Sequence, residues 1–504
     1  MPRRLVPLLL SAVLLTSACT VDEPGRPAAA ASATLAATAA AAAPSPTAPA
    51  GPGMAWAAIT DQRRDVLALK RDDVRAILEG RTTDWRALGG TEQPIAAYLE
   101  RRDAEAVGRA LGIAPGALRA TLVEDGAVVA TVARTPGALG LARFDALRPG
   151  ALGLIVDGHD PYRDPAAESP LRTGGSLPAI DPVLIASPGE LLPVRCANAA
   201  LEQHGDFGVI FEGVKAITQR ADIAVIGLDT PLTDLSPPTP CVSTFTLQGS
   251  AKSVPQIAAA GIDIVFTNGN HMLDCWEASR CPAAAGLRDT LKRLRDAGVA
   301  PVGAGESLEE ARAPHVMQVG SGEDRVRVAF LAYDEIAPWN WATPGSPGTS
   351  PLKAEYVRAD VAAARKVADV VVVATSWGIE YESVPRESQR EIARAAFEAG
   401  AALVIGNHPH TVQAVELREG RLVTYALGNF LFDQEWSVPT TQSLVLEVGF
   451  IRGELAGYRL RPAVTRRLDA GGRRALFRPV LLDPAQPEGA SIMQRVWRAS
   501  DALR

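Results

Sequence analysis

The segment LVIGNHPHTVQAVELREGRLVTYALGNFLFDQ, running from Leu403 to Gln434, organises the rest of the chain. An apolar run stops at Gly406-Asn407-His408-Pro409-His410, and a short strand pair then leads to Leu427-Gly428-Asn429-Phe430. His408 and His410 are two apart, so in extended backbone both rings leave on the same side. A buried strand that ends at a Gly/Asn/Pro loop carrying two imidazoles is a common setting for metal chemistry in an α/β enzyme. The chain holds only six histidines. A second cluster, Asn268-Gly269-Asn270-His271, again follows an apolar run, Ile262 to Phe266. Two such loops argue for one shared site rather than for surface loops that merely carry histidines.

At 504 residues the chain is too long for one ordinary core, and two or three domains are expected. The composition, 47% hydrophobic and 21% charged with a net charge of −6, is globular and offers no basic surface for nucleic acid. Arg3-Arg4 precede LVPLLLSAVLLTSAC, a run too short to span a bilayer comfortably, which reads as a signal peptide over residues 1–19. Ser17-Ala18-Cys19 is similar to the end of a bacterial lipoprotein signal, although Thr16 stands where that motif has Leu. A lipidated Cys19 would hold the protein at the outer face of the cytoplasmic membrane; a plainly cleaved signal would make it secreted. Residues 20–53 are Ala, Pro, Ser and Thr with almost no large apolar side chain, so they cannot offset their ordering entropy and form a disordered linker. Beyond Cys19 there remain Cys196, Cys241, Cys275 and Cys281. In an exported protein an even number suggests two disulfides, with three connectivities open. Cys275 with Cys281 closes a short loop and leaves Cys196 with Cys241; a zinc site is the alternative.

Order returns at about residue 54. Asp72 to Glu79 has helical spacing with Gly80 as a stop, and leads into Trp85-Arg86-Ala87-Leu88-Gly89-Gly90 and later Thr135-Pro136-Gly137-Ala138-Leu139-Gly140. These motifs make residues 54–172 resemble one lobe of a PstS-type periplasmic phosphate-binding protein, which implies a small N-terminal α/β lobe. Where that family carries an Arg followed by a Ser-Gly-Thr anion clamp, this chain has Arg101-Arg102-Asp103-Ala104-Glu105-Ala106. The hydroxyls and the glycine that bring backbone N–H groups to a phosphate are missing, so an accessory lobe without phosphate is expected. Residues 173–180 read as a Gly/Pro joint.

From Pro182 onward, β-branched runs alternate with amphipathic helical spacing: strands at 223–228, 262–266, 326–333 and 369–377, helices at 286–298 and 388–400. That alternation predicts an α/β domain over 181–450 with a largely parallel sheet. A hairpin about Arg452-Gly453 opens a C-terminal segment, 451–504, whose Arg-rich tail is left unassigned.

Ligands of such a sheet belong on loops after successive strands. The polar residues there are Gly189-Glu190 with Arg195, Asp229-Thr230-Pro231-Leu232-Thr233-Asp234, Asn270-His271-Met272-Leu273-Asp274, Ser376-Trp377 with Gly378-Ile379-Glu380-Tyr381, His408-Pro409-His410 and Gly428-Asn429. In this order they resemble the CapA family of poly-γ-glutamate synthesis proteins, a branch of the calcineurin-like metallophosphatase fold. The resemblance implies a sandwich with a pocket at one sheet edge. Glu190, Asp229, Asn270, His408 and His410 would hold a divalent ion (Mn, Fe or Zn), with His271 placed for proton transfer. Arg195, Trp377 and Asn429 are the candidate substrate contacts.

Three positions depart from the pattern. Gly-Asp is Gly189-Glu190 here, and Asn-Leu-Glu is Gly227-Leu228-Asp229, so each carboxylate moves by about one methylene, ~1.5 Å. The His that precedes Trp-Gly is Ser376, a poor divalent-metal ligand. One ion is therefore expected rather than two. Two functions follow: a metal-dependent hydrolase or transferase of the cell envelope, tied to capsule polymer synthesis or attachment, or a degenerate member that binds an anionic envelope polymer or another envelope protein without turnover.

Overall fold

The computed structural model describes residues 52–320, 322–470 and 473–504. The signal-type segment, Cys19 and nearly all of the linker lie outside these residues. Among the described residues no helix is long and apolar enough to cross a membrane.

Two sheets face one another at the centre. The first has seven strands in the order Ala300–Val302, Ile264–Phe266, Ile223–Gly227, Val183–Ser187, Gln442–Ile451, Glu454–Ala470 and Arg473–Leu481. Its first four strands are parallel and the last three are added antiparallel. The second has six strands, His315–Val319, Val326–Asp334, Val370–Ser376, Leu403–Asn407, Arg421–Thr424 and Val415–Arg418, with the middle four parallel.

The side-chain period of two explains the layering. Ile223 and Val225 of the first sheet meet Val328, Phe330 and Ala332 of the second in the central core. Ala224 and Ile226 face outward onto helices Arg195–His204, Ser253–Ala259 and Ala285–Asp296. Leu331 and Tyr333 face helices Ala354–Ala364 and Glu387–Ala399. Both faces of each parallel stretch are thus buried, which is why these strands read as continuous apolar runs. The result is a helix–sheet–sheet–helix sandwich, as the motifs implied.

The C-terminal segment, set apart in the sequence reading from residue 451, continues the first sheet. Its strands pair through Gln442–Ile451 onto Val183–Ser187, and Ile492 and Val496 of helix Pro487–Asp501 enter the central core. Its arginines form surface ion pairs, as Arg466 does with Glu488, so charge interrupts the apolar pattern along these strands.

The N-terminal lobe is a five-stranded mixed sheet in the order Thr121–Val123, Ala96–Glu100, Ala138–Arg143, Trp56–Asp61, Ala151–Gly153. Its two recognised motifs touch: the Trp85 indole N–H donates to Gly137 O at 3.0 Å. Where a phosphate clamp would lie, the buried Asp103 carboxylate accepts from the Trp56 indole at 2.9 Å and pairs with Arg143.

Candidate metal centre

The candidate ligands gather at the C-terminal ends of the parallel strands of both sheets. Asp229 follows Ile223–Gly227, Asn270 and His271 follow Ile264–Phe266, and His408 and His410 follow Leu403–Asn407. Glu190 arrives on a two-residue strand that pairs with Asn429–Leu431. Glycines allow the approach. A Cβ on Gly269 would lie 2.5 Å from Asp229 Cα, and one on Gly227 would lie 3.1 Å from Asn407 Cγ.

The two histidines do not leave an extended strand, contrary to the sequence reading. His408 has φ 93° and His410 φ 56°, a region unfavourable to any side chain bearing Cβ. The rings still converge, 5.7 Å between centroids, because the loop turns twice instead of running straight. Strain of this kind persists only where the surroundings over-determine it, and it concentrates at functional sites.

One ligand atom each from Asp229, His408 and His410 lie within 4.8 Å of one another, and all three residues are buried. The Glu190 carboxylate is also buried, with Oε2 3.5 Å from His410 Nδ1. Glu190 Oε2 and Asp229 Oδ2 have no hydrogen-bond partner in the protein. Two orphaned carboxylate oxygens beside two imidazoles, in a place water reaches poorly, make a donor set that fits a divalent cation.

The outer contacts set the tautomers. Asn429 Oδ1 accepts from His410 Nδ1 at 2.8 Å, which leaves Nε2 as the ligand atom. Asn270 Oδ1 lies 3.0 Å from His408 Nδ1 and does the same there. Asn270 Oδ1, the expected ligand atom, thus faces His408 Nδ1. His271 is fixed twice: its backbone N–H donates to Asp229 Oδ1 at 2.9 Å, and its Nδ1 meets Asp274 Oδ2 at 2.7 Å.

Electrostatics separate these groups by role. Burial, with the nearby His410 and His271, pushes the His408 imidazole well below its usual pKa. Burial likewise takes His410 down to about 4, so both are neutral, as metal ligands must be. Burial opposes charge on His271 too, but the Asp274 hydrogen bond and the Asp229 carboxylate outweigh it and hold that pKa above its usual value. Burial raises Asp229 to about 6, and burial with the Asp229 charge raises Glu190 well above the carboxylate range. Carboxylates this costly to ionise alone are what a bound cation relieves.

The expected substrate contacts are used elsewhere. Arg195 pairs with Asp433, donates to Thr244 O at 3.0 Å and lies 4.6 Å over the Phe432 ring, so its guanidinium is occupied within the protein. Trp377 is wholly buried, stacked on Tyr425 with its indole N–H on Tyr425 O at 2.8 Å, and presents no face to a substrate. Asn429 orients His410 and donates to Thr440 O at 3.0 Å. All three are positioning or core residues because the loops that carry them fold inward.

Two site residues escaped the sequence reading. Glu380, half-buried, bears electrostatically on Glu190, Asp229, His271 and His410. Its signal was its place in the Gly378–Tyr381 motif. Asn407, which the sequence shows only as part of the Gly406–His410 motif, is buried with an unpartnered Oδ1. Ser376 is buried with an unpartnered hydroxyl. The disulfides are Cys196–Cys241 and Cys275–Cys281.

Residues 185–434, which contain all of these groups, match the family model described as bacterial capsule synthesis protein PGA_cap. The PGA biosynthesis protein CapA of Bacillus subtilis is 31% identical over 267 residues, covering 53% of this chain and 67% of that protein. The chain belongs to the bacterial capsule synthesis protein family. Other family members, among them the capsule biosynthesis protein CapA of Bacillus anthracis (31% identical over 40% of this chain), are matched over about half of their own length. Among solved structures, the chain is similar to the 5'-nucleotidase of Candida albicans (11% identity, 63% of this chain and 58% of that one, TM-score 0.34). It is also similar to PstS of Borrelia burgdorferi (15% identity, 24% and 55%, TM-score 0.22).

Proposed function

We propose that this family member serves capsule polymer synthesis or attachment in the cell envelope, as a hydrolase or transferase dependent on one divalent ion. The observation that carries the reading is the buried convergence of Asp229, His408 and His410 beside two unpartnered carboxylate oxygens. Asp229, Glu190 and the Nε2 atoms of His408 and His410 would hold Mn, Fe or Zn. The ion supplies Lewis acidity toward a phosphoryl or acyl oxygen and a lowered pKa for its water. His271, aligned by Asp274, would deliver a proton to the leaving group. Ser376 removes one ligand from a second ion position, which supports one ion over two.

Cys19 would carry the lipid that keeps the domain at the outer face of the membrane, with the linker as a stalk. Envelope polymer or envelope proteins would be its partners. The second reading, a binding protein without turnover, is favoured by Ser376 and by the exchanged carboxylate lengths at Glu190 and Asp229.

The test is metal content by mass spectrometry on the purified protein and on a His408→Ala/His410→Ala variant, followed by phosphoester and γ-glutamyl substrates. About one equivalent that the variant loses is expected. No metal in either protein after incubation with each ion removes the catalytic reading.

A further inference from the structure

Among the described residues the exposed aromatic side chains are Phe245 (84% exposed), Trp339 (81%), Trp436 (59%) and Tyr381 (46%). All four sit on loops that touch the candidate centre. The Tyr381 ring lies 6.4 Å from His410 and 6.0 Å from Trp436. Asn340, next to Trp339, donates to Asn270 O at 2.7 Å. Phe245 lies between Thr244, whose carbonyl accepts from Arg195, and Leu247, whose N–H donates to Asp274. Exposed rings are costly to leave in water, and their confinement to one mouth marks an interaction surface.

The charge around these rings selects the occupant. Segments 236–248, 335–341, 378–386 and 433–441 carry five carboxylates and a single basic residue, Arg386, which pairs with Glu382. Arg195, beneath the rim, is committed to Asp433. A polyanion therefore finds no free cation on these loops, and an anionic membrane surface would be repelled by them. An uncharged sugar chain meets no such penalty. Its C–H faces carry slight positive charge that suits the negative face of an aromatic ring, and its hydroxyls can donate to the carboxylates between the rings.

We propose that the aromatic rim formed by Phe245, Trp339, Tyr381 and Trp436 binds an uncharged glycan chain and leads it across the mouth of the metal centre. This deepens the proposed function by naming what the site receives, and rests on it only for the location of the centre. The experiment is calorimetric titration of the full chain with the N-acetylglucosamine hexamer, poly-γ-glutamate and anionic phospholipid vesicles, with and without chelator. Saturable binding of the hexamer is expected, persisting in chelator and weakening about three- to ten-fold for each of Trp339→Ala and Trp436→Ala. Persistence in chelator separates this result from failure of the metal-dependent reading. No hexamer binding at millimolar concentration, equal binding by the double Trp variant, or tryptophan-dependent binding of poly-γ-glutamate or vesicles instead would overturn the proposal.

Discussion

Replacing Arg459 by Met tests how the N-terminal lobe is held to the two-sheet sandwich. Arg459 is fully buried on strand Glu454–Ala470. Its guanidinium meets Asp160 at 3.0 and 3.2 Å, Gly153 O at 2.9 Å and Glu447 at 3.3 Å. Asp160 and Gly153 belong to the N-terminal lobe, so one cation ties the two parts together. Its removal leaves the Asp160 carboxylate buried without a counter-charge, while Glu447 keeps Arg461. Breaking a buried pair from one side costs about 3–5 kcal/mol, and that loss is expected at pH 7. The pH dependence carries the sharper information. Burial alone would raise the Asp160 carboxyl, but Arg459 outweighs it and holds the carboxyl below its usual range. In the parent protein this contribution is present above the unfolded value of about 3.9 and is lost as pH falls through the depressed folded value. In Arg459→Met, burial, the largest influence on this carboxyl, is opposed only by the Tyr162 backbone N–H and the Arg220 charge, and the folded value is expected above the unfolded one. The folded variant then binds the extra proton, so its stability falls as pH rises through that raised value. The deficit against the parent should shrink toward pH 4. Urea denaturation followed by tryptophan fluorescence from pH 4 to 8 measures it. Adding Asp160→Asn should recover part of the loss, because no buried charge remains. A deficit that is flat with pH, or a double variant that costs the sum of both single ones, would refute the argument.

Other consequences concern the centre itself. Asn429→Ala frees the His410 ring and should weaken metal binding by about 10- to 100-fold in a chelator competition, with the fold intact by circular dichroism. Asp274→Asn removes the negative charge that favours a proton on His271; turnover of any substrate found should fall by roughly 10²-fold or more with metal content unchanged. Loss of metal in that variant would contradict the assigned role. Gly269→Ala places a Cβ 2.5 Å from Asp229 Cα, so metal content and melting temperature should drop together.

The architecture was legible because local signals agreed with one another. Continuous apolar strands such as Val370–Ser376 alternate with helices that stop at glycine, as Glu387–Ala399 does at Gly400 with φ 111°. The metal loops were legible because their glycines, asparagines and histidines follow those strands directly. The sequence by itself therefore determined the sandwich and named Asp229, Glu190, His408 and His410 as candidate donors. It also singled out Ser376, where the resemblance leads one to expect a His. Only the tertiary structure decided what the surrounding residues do. Trp377, Arg195 and Asn429 are polar or aromatic residues on site loops, and nothing in their spacing tells whether a side chain turns toward the pocket or into the protein. That choice is made by partners distant in the chain: Tyr425 for Trp377, Asp433 for Arg195, His410 for Asn429. The same holds for Glu380 and Arg459, whose roles rest on contacts that form when separate loops and lobes meet. Sequence periodicity reports which face a residue occupies; only folding supplies the partner on the other side of it.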